Sequence, residues 1–275
     1  MWAPAVLHKW IGDNPALRRE WQLLRRPSEA RGGLRSGGGW LGLAVLLALY
    51  GCSAWWLSRP DLAPWPARTF LLCASLLYLL LITLILPGRA VAFMARERGQ
   101  ERWQELLLTS LEPSQIVVAK LLPAFYPAPW LLGLALPVLL MAAHAGRLAP
   151  VHFLLMLMLL ATTGLTVATF GLWAAVRFRN PRSAMALAYL VTGACCWGAL
   201  AWYPPFYVRG ENLWWYLSPA WHSALLCLAE PTASPLARPL LPEWSWCLLG
   251  NLGLTAFFFR LLTRRLGVVE SRGEG

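Results

Sequence analysis

"VHFLLMLMLLATTGLTVATFGLWAAV", residues 151–176, is a 26-residue run without Asp, Glu, Lys or Arg. A helix rises about 1.5 Å per residue, so this run is long enough to cross the roughly 30 Å of hydrocarbon in a bilayer. It lacks the apolar–polar alternation of a barrel strand. A lone segment in lipid must satisfy its own backbone hydrogen bonds, which a helix does and an open strand does not. Within the run, Gly164, Ala168, Gly171 and Ala175 form a stripe of small residues, with hydroxyls at Thr162, Thr166 and Thr169. Small stripes let helix backbones approach closely, so packing is the favoured reading here over a substrate path.

Working outward, five more runs have near-spanning length: Trp40–Leu57, Thr69–Leu86, Leu121–Ala143, Ala184–Tyr203 and Trp244–Leu262. The expected fold is therefore an all-α integral membrane protein with six transmembrane helices. The whole 275-residue chain agrees: it is 58% hydrophobic and 13% charged, against about 25% charged in soluble chains. The opening residues, "MWAPAVLHKW", lack the apolar segment of a signal peptide, so the first span is expected to act as an uncleaved anchor. The third run carries Pro123, Pro127, Pro129 and Pro137, and kinks are expected there.

The net charge of +11 has a position as well as a size. The segment before the first run holds seven Lys or Arg, and the second, fourth and sixth connecting or terminal segments hold five, three and four. The intervening segments hold two, one and two, so alternate segments carry 19 against 5. This is the positive-inside pattern, and it predicts both termini on the cytoplasmic side. The charge is thereby assigned to topology and to anionic lipid headgroups, not to nucleic acid.

Several chemistries are excluded by inspection. The two aspartates, Asp13 and Asp61, both lie outside the runs, so the clustered aspartates that hold Mg²⁺ and diphosphate are missing. No H-E-x-x-H occurs, and neither Lys9 nor Lys120 follows a glycine as a P-loop requires. The runs are nearly free of charge, whereas ion-coupled carriers place charged partners within the membrane. The six cysteines fit no metal spacing; Cys227 and Cys247 flank an external loop and could pair, but two unpaired lipid- or core-facing thiols are the favoured reading. His144 and His152 are expected as polar caps at the outer ends of neighbouring spans. The chain is thus expected not to be an enzyme and to bind no cofactor or metal itself.

Two charged segments remain. In "DNPALRREWQLLRRP", residues 13–27, Asn14 suits an N-cap and Pro15 the first helical position. Leu17, Trp21 and Leu24 fall on one face while Arg18, Gln22 and Arg25 fall on another, which describes a basic amphipathic helix at the membrane interface. The glycines of "RGGLRSGGGW" read as a hinge, giving an arm over residues 1–38, a membrane domain over 39–262 and a cytoplasmic tail over 263–275. Between the second and third runs, "ARERGQERWQELLLTSLEPSQIVVAKLL", residues 95–122, sets Glu97, Glu101 and Glu105 in one row. Arg98 and Arg102 form the next row, and Trp103, Leu106, Leu107, Ser110 and Leu111 an apolar face. Pro113 ends this helix and starts another. An interfacial helix with solvated charges and a docking element for a cytoplasmic partner both fit the pattern.

Here the sequence resembles ABC transporter permeases of the type-2 exporter class. Glu97, Arg98, Leu106, Leu107, Leu111, Pro113, Ile116 and Lys120 match that family's pattern between spans two and three. "NPALRRE", residues 14–20, resembles its interface-helix opening. Pro87 fits the end of its second span, and "LSPAWHSAL", residues 217–225, resembles its segment before the sixth span. Glu101 and Arg102 stand where Gly-Thr is usual, Ser110 replaces a proline and Ala119 a glycine.

The resemblance implies a coupling helix over 95–112, with Glu97, Arg98, Glu101, Arg102, Trp103, Glu105, Leu106 and Leu107 docking a separate P-loop ATP-binding subunit. It implies an interface helix that uses Asn14, Pro15, Leu17, Arg18, Glu20 and Trp21. It also implies an outer gate in the aromatic loop over residues 204–243, at Trp214, Trp215, Pro219 and Trp221. ATP and Mg²⁺ would be bound by the partner, and the permease would pair with a second permease copy, identical or not, in a bacterial-type inner membrane. The competing reading is a non-transporting scaffold that holds a cytosolic protein through the same charged helix.

Overall fold

The structure is a computed structural model that describes residues 17, 51–53, 55–57, 59, 64–98, 112–178, 180–201, 219–220, 223 and 243–273. Among the described residues every regular element is a helix, and no strand occurs. Six helices follow in order: α1 Pro64–Arg98, α2 Pro113–Phe125, α3 Pro127–Ala145, α4 Pro150–Arg177, α5 Pro181–Ala201 and α6 Glu243–Gly273. Five of them begin at a proline. At the first helical position the missing N–H has no intrahelical partner to lose, and the fixed φ already suits the helix.

Three helical stretches are long and apolar enough to cross a membrane: Pro64–Ala95, Pro113–Ala145 and Pro150–Arg177. They lie over the second, third and fourth apolar runs of the sequence, and α5 and α6 lie over the fifth and sixth. The chain is therefore consistent with a multi-pass membrane protein. Of the first run, residues 51–53 and 55–57 are described and helical. Large apolar side chains such as Leu77, Leu84, Trp130, Leu154, Leu190 and Phe257 stand exposed on the outside of the bundle, the arrangement expected of surfaces that face lipid.

The prolines of the third run act as their chemistry requires. Pro127 cannot donate to the carbonyl of Pro123, so the helix is interrupted at Tyr126. Tyr126 itself stays in the right-handed region and its N–H still reaches Leu122 O at 2.9 Å, so α2 and α3 form a kinked continuation. Pro87 lies inside α1 without ending it.

Helix α4 is the hub. Of its most apolar 18-residue window 61% is buried, against 39% for α1 and 22% for α2 with α3. It packs most extensively on α1 and α6, and also on α5, α2 and α3. Gly164 and Gly171 are two of the contact points. A Cβ on Gly171 would lie 2.9 Å from Ala90 Cβ and 3.2 Å from Pro87 Cα, and one on Gly164 would lie 3.2 Å from the Phe125 ring. Lipid tails are as apolar as these side chains, so close van der Waals fit carries the packing. Leu159, Leu160 and Leu172 of α4 meet Leu79, Ile82 and Leu86 of α1 in one buried cluster.

Side-chain pairs fix the helix directions. Arg68 reaches Gly146 and Tyr78 reaches Ala128, so α1 and α3 run oppositely. Tyr189 bonds Leu84 and Trp197 bonds Thr83, while Tyr189 also lies beside Gly88, so α5 opposes α1. Thr163 pairs with Asn251, Thr166 with Thr255 and Phe170 with Phe258, so α4 and α6 are parallel. Gly164 sits against Leu86 and Gly171 against Ala90, so α1 and α4 are parallel too. Helices α1, α4 and α6 thus run one way, and α2, α3 and α5 the other.

Candidate functional site

These directions gather charge at one end. The C-terminal turns of α1, α4 and α6 bring Arg89, Arg96, Arg98, Arg177, Arg260, Arg264, Arg265 and Arg272 to the same end as Lys120 of α2 and Arg182 of α5. At the opposite end the described basic residues are Arg59, Arg68 and Arg147. The 19-to-5 division of the linear sequence becomes a physical polarity of the bundle.

The basic end is where the connection between α1 and α2 leaves and returns. Glu97 and Arg98 form the last turn of α1, and their side chains lie outside the described residues, as do Glu101, Arg102, Trp103, Glu105, Leu106 and Leu107 entirely. The chain resumes at Glu112 in extended conformation, and Pro113 starts α2, as the sequence predicts. Gln115 Oε1 accepts the Glu112 N–H at 3.3 Å, which closes one side of a capping box. Gln115 and Lys120 then turn inward: they are 8% and 2% exposed. Lys120 is thus a buried side chain of the bundle. Because α2 packs on α1, α4 and α6, both ends of the connection are seated on the hub.

A second polar feature lies deep between α4 and α6. Asn251 Nδ2 donates to Thr163 Oγ1 at 3.1 Å and lies 3.8 Å from Cys247 Sγ. Thr166 Oγ1 lies 2.9 Å from Thr162 O, 3.0 Å from Asn251 O and 3.0 Å from Thr255 Oγ1. One hydroxyl has one proton, so Thr166 donates to a carbonyl while the Thr255 hydroxyl can donate to Thr166. Thr163 in turn donates to Leu159 O at 2.8 Å. The seam is uncharged and internally satisfied. It contains no acid–base pair and suits helix joining. Its sequence signal was a single amide in the sixth run and hydroxyls at helical spacing in the fourth; only pairing the two runs reveals it.

The opposite end has its own polar corner. Arg68, 7% exposed, donates Nε to Gly146 O at 2.8 Å, and Arg147 follows with φ of 50°. A Cβ on Gly146 would meet Arg68 Cγ at 2.9 Å, so the turn between α3 and α4 needs glycine to admit the arginine. His144 is exposed at this end as expected. His152 is not an interfacial cap: it is 4% exposed, and its Nδ1 is buried with no hydrogen-bond partner among the described residues. Nearer the middle, an apolar groove of about 270 Å³ lies between α1, α3 and Ser53, with Tyr78 and Leu139 in its wall.

Of the interface helix, Leu17 is helical and buried; Asn14, Pro15, Arg18, Glu20 and Trp21 lie outside the described residues. Of the external loop, Pro219 is helical and its carbonyl accepts the Ser223 hydroxyl at 2.8 Å; Trp214, Trp215 and Trp221 lie outside. Cys247 is buried in α6, and Cys227 lies outside. Among the described residues no group of His, Cys, Asp or Glu is placed to hold a metal ion.

The sequence matches no protein-family model, and a search of curated proteins finds no match.

Proposed function

We propose that the chain is the membrane-spanning permease subunit of an ATP-driven exporter. It would couple hydrolysis in a separate P-loop subunit to movement of a substrate across a bacterial-type inner membrane. In this reading six helices span the bilayer with both termini on the basic, cytoplasmic side. Residues 95–112 form the docking helix, the arm around Leu17 lies at the interface and residues 204–243 gate the outer side.

The observation that carries the reading is the seating of the connection between α1 and α2. Both helices pack on α4, and α1 continues unbroken through Pro87 to Arg98. A partner holding residues 99–111 would therefore displace two packed helices, not a free loop, and motion of rigid helices is how such a push reaches a distant gate. The uncharged α4–α6 seam supports an energy source outside the chain, since an ion-coupled carrier needs a charged intramembrane partner.

The test is co-purification and flux. The chain alone should hydrolyse no ATP, and with its P-loop partner in vesicles it should stimulate hydrolysis and move substrate. Exchanging charge in the docking helix, Arg98→Glu with Glu105→Arg, should weaken the complex. An unchanged complex removes the docking assignment. A bound ATPase with neither stimulation nor flux makes the chain a scaffold.

A further inference from the structure

The parallel register of α4 and α6 has a consequence at the basic end. Phe170 and Phe258 pack edge to face with ring centroids 5.0 Å apart, and Trp173 lies 5.4 Å from Phe258. Seven residues further along each helix stand Arg177 and Arg265. Seven residues is nearly two whole turns, so each arginine falls on the same face as its phenylalanine, about 10 Å further along. The aromatic contact is thus continued by two like charges at one level on the facing sides of parallel helices.

Both arginines are exposed. Arg177 lies beside the Phe178 ring, 5.9 Å from its centroid. No acidic residue occurs in the last three turns of α4, the first two turns of α5, or between Arg260 and Leu266 of α6. Arg182 adds a third positive charge just beyond the short α4–α5 connection, its N–H held by Asn180 Oδ1 at 3.0 Å. Two guanidinium groups carried at one level on adjoining helix faces repel, and a phosphate bound by both converts the repulsion into paired, charge-assisted hydrogen bonds.

We propose that Arg177 and Arg265 together bind the phosphate of an anionic phospholipid at the basic end of the α4–α6 seam. The level selects a lipid over a soluble phosphate. The arginines sit where the apolar, lipid-facing surface ends, with Phe257 exposed alongside Phe258 about two turns below. Acyl chains can therefore lie against that aromatic surface while the headgroup meets the charges. Charge complementarity selects an anionic headgroup, because a zwitterionic lipid carries its own cation. A bound lipid would bridge α4 to α6 and reinforce the seam held by Asn251 and Thr163. The inference does not depend on the transport reading.

The test is native mass spectrometry of the full delipidated chain with added phosphatidylglycerol or phosphatidylcholine. Wild-type chain should retain one phosphatidylglycerol in preference to phosphatidylcholine. Arg177→Ala with Arg265→Ala should weaken retention about 30-fold, and either change alone about 5-fold. The control removes equal charge from the other side of α6: Arg260→Ala with Arg264→Ala, both exposed and turned well away from the Phe258 face. It should leave retention unchanged. Equal loss in the control reduces the site to general surface charge and overturns the proposal. So does unchanged lipid binding in the Arg177/Arg265 variant, or displacement by glycerol phosphate lacking acyl chains. Unaltered size-exclusion profiles and helical circular dichroism separate lost binding from lost fold.

Discussion

Asn251 of α6 donates its side-chain amide to the Thr163 hydroxyl of α4 at 3.1 Å. The two residues are 88 apart in sequence, and the same offset recurs at Phe170 and Phe258. One polar contact and one aromatic contact therefore share a single register between parallel helices. The polar contact specifies that register: sliding α6 by one turn would leave an amide against hydrocarbon, at a cost of several kcal/mol on the scale of an unsatisfied polar group in lipid.

A double-mutant cycle should expose this coupling. Thr163→Val keeps the shape and removes the hydroxyl, and Asn251→Ala removes the amide. Interhelical hydrogen bonds in membranes average about 0.6 kcal/mol and reach roughly 1.7 kcal/mol. Because Asn251 also approaches Cys247 and its carbonyl meets Thr166, the expected coupling is about 1 kcal/mol. Reversible unfolding in bicelles measures it. Strictly additive single effects would show that the contact specifies nothing.

The polarity of the bundle predicts labelling from opposite sides. Single cysteines replacing Arg147 and Arg264, in a background with the native cysteines changed to Ala or Ser, lie at opposite ends of α4 and α6. A membrane-impermeant maleimide should reach the Arg264 position only in inside-out vesicles and the Arg147 position only in right-side-out ones. Labelling of both positions from one side would overturn the topology that the arginine distribution predicts.

The apolar runs were legible in the sequence because length and lack of charge alone decide them, and helices do lie over residues 69–86, 121–143, 151–176, 184–203 in large part and 244–262. Pro113 as a helix start was legible for a local steric reason. The small residues of the fourth run were read correctly as packing, since Gly164, Ala168, Gly171 and Ala175 are buried. The inward turn of Lys120 and Gln115 was not legible: their rotation is set by α1 and α4, which are remote in sequence. Nor was the Arg68–Gly146 contact, which joins residues 78 apart. The proposed docking residues were named from a local motif, and all but the backbone of Glu97 and Arg98 lies outside the described residues.

Arg68 is expected to hold the turn between α3 and α4. Its Nε bond to Gly146 O is buried, and bonds from charged donors are worth about 1.5–3 kcal/mol. Arg68→Leu should lower stability by about 2 kcal/mol and speed proteolysis at the 146–149 turn. Arg68→Lys should recover little, because a lysine lacks the fixed Nε–H that meets the carbonyl. Gly146→Ala should resemble Arg68→Leu, since the added Cβ would meet Arg68 Cγ at 2.9 Å and the fixed Ala142 carbonyl at 3.0 Å. Full stability in Arg68→Lys would show that charge alone suffices.

Four glycine-to-alanine changes should rank by what the new methyl meets. At Gly171 it would press on Ala90 Cβ at 2.9 Å and on the Pro87 backbone at 3.2 and 3.4 Å. Neither can rotate away, so α1 and α4 must separate, and overpacking of this kind costs about 1–3 kcal/mol. At Gly88 the methyl meets the Tyr189 hydroxyl at 2.5 Å. That atom ends a side chain able to swing, so the expected loss is chiefly its bond to Leu84 O, about 1 kcal/mol. At Gly133 and Gly253 nothing lies within 4 Å, and alanine should be neutral or slightly stabilising through its greater helix propensity. The expected order of destabilisation is Gly171, then Gly88, then Gly133 and Gly253 together, read as thermal midpoints in one detergent. Gly88→Ala paired with Tyr189→Phe should cost no more than the larger single change, because both remove the same contact. A Gly171→Ala variant as stable as Gly253→Ala would mean that α1 and α4 are not held at the distance on which the placement of every other helix depends.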